Sequence, residues 1–217
     1  MMRMNDILLI DKPAGITSHD VVDVVRRVTG VRQVGHAGTL DPMATGLLIV
    51  AVGKATKTLS KFVGLDKEYE AELTLGATSD TFDREGKIVT IVGAIHELPL
   101  RDDIESILSQ FRGGCDQRAP IFSAKKIKGK KLYELARAGQ ATEDMRPMKR
   151  VTISALHITH YAYPRLDLTV ACSSGTYIRS LADDIGRALG CGAYLSNLRR
   201  TKVGGYSVKN AIRLDQM

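Results

Sequence analysis

Alternating and compact apolar runs along the chain predict a fold rich in strands. The clearest is KEYEAELTL at residues 67–75, where apolar and polar residues alternate with the period of two that a half-buried strand requires. GLLIVAV at 46–52 is wholly apolar and bounded by glycine, which is typical of a buried strand. The predicted strands cover residues 6–11, 46–52, 67–75, 87–95, 151–163 and 165–172 and much of 192–207.

Helices are predicted where apolar residues recur at spacings of three and four. The first follows an N-cap at Thr17 or Ser18, has valines at suitable spacing, and stops at Gly30. The other predicted helices cover residues 54–63, 101–111, 133–138 and 176–189. Residues 35–45 form a polar, glycine-rich predicted loop. Strands outnumber helices and are interspersed with them, so we expect an α+β fold: a single domain over residues 1–217, with a mixed, mostly antiparallel sheet and flanking helices.

Positive charge is concentrated in the second half of the chain. The 217 residues carry a formal charge of +7, but residues 1–110 hold 12 basic and 16 acidic side chains, against 19 and 8 in residues 111–217. Residues 112–150 alone hold 11 basic and 4 acidic side chains. A lysine-rich run by itself is as readily a solvated loop as a binding surface, but the segregation of charge favours a nucleic acid partner.

Several other classes of protein are disfavoured. No apolar run approaches the ~20 residues of a membrane span, and the N-terminus lacks the features of a signal peptide. The three cysteines, Cys115, Cys172 and Cys191, have no paired spacing, which fits a reducing cytoplasm. His157 and His160 lie in an alternating segment that places them on opposite faces of a strand, so we expect no metal site. Phosphate-loop and dinucleotide motifs are missing, so no nucleotide cofactor is expected.

The segment GHAGTLDPMATG at residues 35–46 is the strongest candidate for chemistry. It places one carboxylate, Asp41, between a loop poor in side chains and a buried strand. Glycines allow a ligand to approach the backbone closely, and Pro42 restricts Asp41 to extended conformations. An ordinary Asp-Pro turn explains the dipeptide equally well, so this loop alone does not establish a site.

Eight sequence blocks, in the order in which a known family carries them, provide a stronger indication of a functional site. They are LLIDKPAGITSHD, GHAGTLDPMATGLL, GKATKTLSKF, KEYEAELTLGATSDTFDREG, FRGG, SAKKIKGKKLYELARAG, CSSGTYIRSLADDIG and LRRTKVGGYSV. In these the chain resembles the bacterial TruB-type tRNA pseudouridine synthases over nearly its whole length. The resemblance implies the pseudouridine synthase fold and a cofactor-free, metal-free conversion of uridine 55 in the tRNA T-loop to pseudouridine. The uridine flips out of the stack to reach the site.

The resemblance also implies roles for single residues. Asp41 matches the catalytic aspartate that acts at ribose C1′, by direct attack or through a glycal route. Arg179 matches its ion-pair partner, which a buried carboxylate needs in order to stay ionised. Asp83 is placed to hold Arg179.

Four further residues match the family's substrate pocket. Tyr69 corresponds to the tyrosine that stacks on the target base, and His36 to the histidine that occupies the place of the flipped nucleotide. Tyr177 and Leu198 line the pocket.

The basic segment, residues 113–149, corresponds to a thumb that closes on the tRNA T-stem-loop. Its expected phosphate-binding side chains are Lys125, Lys126, Lys128, Lys130 and Lys131. We expect a monomer without membrane association, and no protein partner is implied. Bacterial relatives commonly continue into a PUA-type domain, whereas this chain stops at residue 217, so we expect the catalytic domain alone.

Two alternatives remain on sequence grounds. A guide-RNA-dependent pseudouridine synthase shares the GHxGTLDP block, but that branch needs a PUA domain and lacks the long basic thumb. An RNA chaperone that folds tRNA by binding alone is disfavoured as the sole role because Asp41, Tyr69 and Arg179 are all present.

Overall fold

The structure, a computed structural model, describes residues 5–91, 100–123, 125–127 and 129–217. Within these residues the helices are α1 (Ser18–Thr29), α2 (Ser60–Val63), α3 (Arg101–Phe111), α4 (Leu132–Arg137) and α5 (Ile178–Ala188). The strands in the same residues are β1 (Ile7–Lys12), β2 (Val34–Ala37), β3 (Thr45–Val52), β4 (Lys67–Leu75), β5 (Ala77–Ser79), β6 (Ile88–Thr90), β7 (Gly113–Arg118), β8 (Lys126–Ile127), β9 (Lys130–Lys131), β10 (Met148–Ala162), β11 (Arg165–Cys172), β12 (Ala193–Val203), β13 (Tyr206–Ser207) and β14 (Ile212–Arg213).

The chain divides into two compact units, whose sequence boundaries fall within the residue ranges of β4 and β12. The first unit comprises residues 1–70 and 197–217. Its strand order is β14-β1-β3-β12-β4, with β2 paired to β3 and β13 to β12. The β1–β3 pair is antiparallel, whereas β14 lies parallel to β1 and β12 parallel to β3.

Helix α1 closes the core of the first unit. Thr17 caps it by accepting the amide of Asp20, whose carboxylate accepts the amide of Thr17 in return. The helix buries Val21, Val22 and Val25 against the apolar face of β1 and β3. Full burial of such a side chain contributes about 1.5–3 kcal/mol, so these three valines hold the start of the helix firmly against the sheet.

The second unit comprises residues 71–196, with strand order β12-β4-β11-β10-β7. The pairs β10–β11 and β10–β7 are antiparallel. Helix α3 packs on β10 and buries Ile104 and Leu108 completely. Two short hairpins, β5–β6 and β8–β9, lie outside this sheet.

The predicted fold class is confirmed: the sheet is mixed and mostly antiparallel, with helices beside it. Among the described residues, no helix has both the length and the apolar composition needed to cross a membrane. The first six residues of the predicted basic insertion form β7, a strand of the main sheet. The predicted strand at 87–95 is observed as β6, and its last residues, 92–95, lie outside the described ones.

Two local predictions are wrong. Residues 34–37, mostly assigned to a loop, form β2 against β3, because sheet pairing outweighs the glycine-rich composition. The helix predicted at 54–63 is instead a 3-10 turn at residues 53–58 followed by the short α2. The hydroxyls of Thr56 and Thr58 each donate to a carbonyl three residues earlier, at 2.8 Å, which competes with regular α-helical bonding.

Candidate active site

The loop that carries Asp41 lies between β2 and β3 in the first unit, and helix α1 holds it in place. Ser18, at the start of α1, donates through Oγ to the carbonyl of Leu40 at 3.1 Å and accepts the amide of Leu40 at 2.9 Å. Ser18 and Leu40 are both buried, so these bonds are shielded from water. The amide of Ala44 donates to the carbonyl of Asp41 at 3.0 Å, which closes a tight turn. The half-buried Asp41 is therefore presented by a backbone that is fixed on both sides.

A buried lysine secures the same loop from β1. Lys12 is 0% exposed, and its Nζ donates to the carbonyls of Pro13 at 2.9 Å, Ile16 at 2.7 Å and Pro42 at 3.2 Å. An ammonium group has three protons to donate, and burying it is unfavourable unless they are accepted. Lys12 thus ties the residue that follows Asp41 to the turn between β1 and α1.

Arg200 fastens the two ends of the loop from β12. Its Nε donates to the carbonyl of Leu47 at 2.8 Å and its NH2 to that of Gly38 at 2.9 Å, and the residue is 1% exposed. Gly46 has a φ of +99°, and a Cβ there would lie 2.3 Å from the carbonyl oxygen of Arg200. This close approach requires glycine.

The roles of Ser18, Lys12 and Arg200 in holding the loop were not predicted from the sequence. A signal was present for Lys12, because the period of two in β1 places it on the same buried face as Leu8 and Ile10. Long basic residues at such positions indicate a buried polar contact. In β12 the alternation is broken at Asn197, so it gave no such signal for Arg200. The identity of the carbonyls that Lys12 and Arg200 reach depends on the tertiary structure.

His36 lies on β2 and pairs across the strand with Val50. Its Nδ1 is buried, and no hydrogen-bond partner for it lies in the described part of the chain. Burial, followed by the positive charges of Arg200 and His19, lowers the pKa of the imidazole below its ordinary value of 6.5. The ring is therefore neutral at pH 7.

Tyr69 and Leu198 lie on the strands β4 and β12 of the first unit, and each is 8% exposed. In β4 the buried positions alternate, which places Tyr69 on the same face as Lys67. The carbonyl of Leu198 accepts the hydroxyl of Thr45 at 3.4 Å, which links β12 to the first residue of β3.

In the second unit the structure brings Arg179 and Asp83 together. Arg179 Nε lies 3.5 Å from Asp83 Oδ2, and both side chains are buried. The guanidinium also donates to the carbonyls of Thr81 at 3.1 Å and Phe122 at 3.0 Å. Asp83 in turn accepts the hydroxyl of Thr81 at 2.6 Å and the amide of Glu85 at 3.0 Å. This network fixes the orientation of Arg179 at the start of α5.

Tyr177, the residue before α5, is held by a side chain of β7. The amide group of Gln117 donates to the carbonyl of Tyr177 at 3.0 Å and accepts its backbone N–H at 2.8 Å. Gln117 is buried, so the pair of bonds is protected from water. Gln117 is a further positioning residue, and its role was not predicted from the sequence.

The predicted phosphate-binding lysines lie on or beside the β8–β9 hairpin. Lys125, Lys126 and Lys130 are exposed, and Lys131 is half-buried. Lys131 donates to the hydroxyl of Tyr133 at 3.2 Å and lies 5.3 Å from the centre of its ring. Lys128 lies outside the described residues.

Together these side chains define the chemistry that each unit offers. The first supplies one carboxylate on an anchored loop, and the second supplies a buried arginine and a basic hairpin. A fixed carboxylate can act as a nucleophile or stabilise positive charge. Within the described residues, no three His, Cys, Asp or Glu side chains lie close enough to hold a metal ion.

Comparison with known proteins first defines a class. Residues 26–178 match the model of the TruB family pseudouridylate synthase N-terminal domain, and residues 179–217 match that of the tRNA pseudouridylate synthase B C-terminal domain. The matched ranges together include all the predicted site residues.

Individual relatives then give the family. The chain is 46% identical over 207 residues to tRNA pseudouridine synthase B of Chlamydia trachomatis, covering 95% of this chain and 83% of the relative. It is 44% identical over 217 residues to tRNA pseudouridine synthase B of Caldanaerobacter subterraneus, covering 100% of this chain and 75% of the relative. The chain therefore belongs to the TruB family of pseudouridine synthases.

Solved structures agree with this fold. The chain superposes on a chain of a Cbf5-Nop10-Gar1 complex with a TM-score of 0.75 and 30% identity, over 98% of this chain and 53% of that one. It also matches a chain of an H/ACA RNP bound to a substrate RNA that contains 2′-deoxyuridine, with a TM-score of 0.71 and 27% identity, over 98% and 51% of the two chains. The chain thus spans about half the length of each of these two solved chains.

Proposed function

We propose that this chain converts a uridine of tRNA to pseudouridine, at position 55 of the T-loop. The observation that carries the proposal is the 46% identity to a tRNA pseudouridine synthase B over 95% of the chain. The anchored Asp41 loop supports it, because the reaction needs a carboxylate held rigidly beside the ribose.

The reaction balances within the substrate and solvent protons. The bond between ribose C1′ and uracil N1 breaks, the base turns, and a bond forms between C1′ and C5. The proton on C5 is lost to solvent, and N1 gains one. No electrons leave or enter, so the conversion requires no oxidant or reductant.

Asp41 is the catalytic carboxylate in this proposal and acts at C1′. Tyr69 stacks on the target base, Leu198 supplies an apolar wall, and His36 occupies the place that the flipped nucleotide leaves. A neutral histidine suits that role, because its pKa is lowered and it brings no positive charge to be desolvated. Extrusion of the base costs a few kcal/mol, which stacking and backbone contacts offset.

Arg179 supplies the positive charge that keeps the catalytic carboxylate ionised, and Asp83 orients it. The support is the observed Asp83–Arg179 pair, with the two carbonyls that accept the guanidinium. Tyr177 contributes to the pocket. The lysines of the basic insertion bind phosphates of the T-stem-loop, which predicts steep salt dependence of RNA binding.

The deciding experiment measures tritium release from [5-³H]uridine in an unmodified T-stem-loop, with no added metal or guide RNA. Release by the wild type and none by Asp41→Asn is expected. The matched control is Asp102→Asn, an exposed carboxylate in the first turn of α3, which should release tritium at the wild-type rate. Wild-type protein that binds the RNA but releases no tritium from either the stem-loop or full tRNA would refute the proposal.

The two alternatives are less well supported. The chain is 27–30% identical to the Cbf5 and H/ACA RNP chains above, against 46% to a tRNA pseudouridine synthase B, which disfavours a guide-dependent activity. A chaperone without essential catalysis predicts that Asp41→Asn keeps its cellular function. We expect that variant to bind tRNA and leave position 55 unmodified.

The protein is further proposed to act as a monomer in the cytoplasm, without a protein partner. The three cysteines are free, which suits a reducing compartment. Light scattering of the purified protein should give the mass of one chain, and with the stem-loop bound the mass of one chain plus one RNA.

A further inference from the structure

A small basic pocket lies in the second unit, beside the residue that precedes α5. Its volume is about 150 Å³. Ala119, Pro147 and Tyr177 contribute apolar and aromatic surface, and Lys125 and Lys149 bring two positive charges. Of the described residues that line it, none is acidic. Two like charges at one small pocket repel each other, and an anion between them removes that repulsion.

Lys149 is directed by the loop that follows β11. Its Nζ donates to the carbonyl of Ser174 at 2.6 Å. Gly175 is packed so closely against the ammonium that a Cβ there would lie 2.3 Å from Nζ. One proton of Lys149 is thus used to fix its position, and the other two remain to donate to a ligand.

Lys125 carries its charge on an anchored backbone. Its carbonyl accepts the amide of Leu132 at 2.7 Å, and Leu132 is completely buried. Its exposed side chain makes no hydrogen bond or ion pair with the part of the chain that the structure describes. Arg150, by contrast, lies beside Lys149 on β10 and pairs with Asp116 at 3.5 Å.

We propose that this pocket binds one phosphate group of the RNA backbone, between Lys125 and Lys149. The inference rests on the proposed function, because it takes the bound RNA to be the substrate. Pockets for whole small-molecule ligands measure about 300–1,000 Å³, so this one fits a single group rather than a cofactor. The glycine at its edge lets the ammonium of Lys149 lie directly against the backbone.

The test is a scan with neutral phosphates. A set of T-stem-loops carries one methylphosphonate at a time, and each contains pseudouridine at position 55 so that no turnover occurs during binding. The dissociation constant of each is measured for the wild type, for Lys125→Gln/Lys149→Gln, and for Arg150→Gln. The last is the matched control, because it removes one charge from the same strand next to Lys149 without touching the pocket.

One backbone position should stand out. For the wild type, a methylphosphonate there is expected to weaken binding about tenfold, as the loss of two exposed charge contacts implies. For Lys125→Gln/Lys149→Gln the unmodified RNA binds about tenfold more weakly, and the methylphosphonate at that position costs nothing further. Arg150→Gln retains the penalty at that position. For Lys125→Gln/Lys149→Gln, the slope of log affinity against log salt concentration should also be shallower than that of the wild type by about 0.7–0.9. This difference is the contribution of one phosphate contact.

Two results would overturn the pocket proposal while leaving the proposed function intact. One is that the methylphosphonate at each position weakens binding by the same factor in the wild type and in Lys125→Gln/Lys149→Gln. The other is unchanged RNA affinity of that double variant, which would show that the two lysines do not contact the RNA. Wild-type protein that fails to bind the stem-loop at all would instead count against the proposed function and the pocket together.

Discussion

Ser18 offers the sharpest test of whether α1 holds the catalytic loop. Ser18→Ala removes one oxygen and with it both bonds to Leu40, leaving a buried N–H and a buried carbonyl without a partner. Each such loss costs about 1–3 kcal/mol, so we expect the free energy of unfolding to fall by about 2–6 kcal/mol. That is a large share of the roughly 5–15 kcal/mol that holds a domain together.

Urea unfolding measures this change, and tritium release measures its effect on catalysis. Because the freed loop misplaces Asp41, kcat should fall at least about tenfold while the affinity for the product stem-loop changes less than about twofold. The matched control is Ser109→Ala in α3, which removes an exposed bond to the carbonyl of Ser106 and should cost less than about 0.5 kcal/mol. If Ser18→Ala matches that control in stability and keeps full activity, α1 does not position the loop.

Three further predictions concern other contacts of the two units. Gly46→Ala forces a Cβ to within 2.3 Å of a backbone oxygen at a φ of +99°, so urea unfolding should show that the free energy of unfolding falls by several kcal/mol. The control Gly64→Ala, at an open position, should change it by less than about 1 kcal/mol. Asp83→Asn leaves Arg179 as a buried charge without its carboxylate and should lower the free energy of unfolding by about 3–5 kcal/mol. This loss should be smaller in a background that carries Arg179→Met, and strictly additive losses from the two substitutions would contradict the ion pair. The lowered pKa of His36 means that its contribution to stability is present above pH 6.5 and is lost as the pH falls through the lower folded-state pKa. NMR titration should place that pKa below 6.5, and a value of 6.5 or higher would contradict the described burial.

Local patterns predicted most of the elements because their causes are local. The alternation of KEYEAELTL gives β4 at its predicted bounds, and the Thr17 cap and Gly30 stop are observed at the two ends of α1. Where pairing partners decide the structure, local patterns were insufficient. Residues 34–37 become β2 only because β3 offers them a free edge.

The candidate site divides in the same way. Asp41, Tyr69 and Arg179 could be named from the sequence, since they lie in blocks that resemble a known family. Their functional roles stay predictions until Asp41→Asn and its companions are measured. The side chains that hold them were not predicted, because their contacts join residues far apart in the chain. Lys12 reaches a carbonyl 30 residues away, and Arg200 reaches one 153 residues away.

The sequence by itself therefore determined the secondary structure of most segments, the opposite net charges of the two halves of the chain, and the family. Each of these depends on residue type and spacing along the chain. Only the tertiary structure decided which buried cations anchor the Asp41 loop, which backbone carbonyls accept the guanidinium of Arg179, and that Lys125 and Lys149 share one pocket. The physical reason is that a buried polar group must find its partner wherever the fold places one, and that choice is made in space rather than along the sequence.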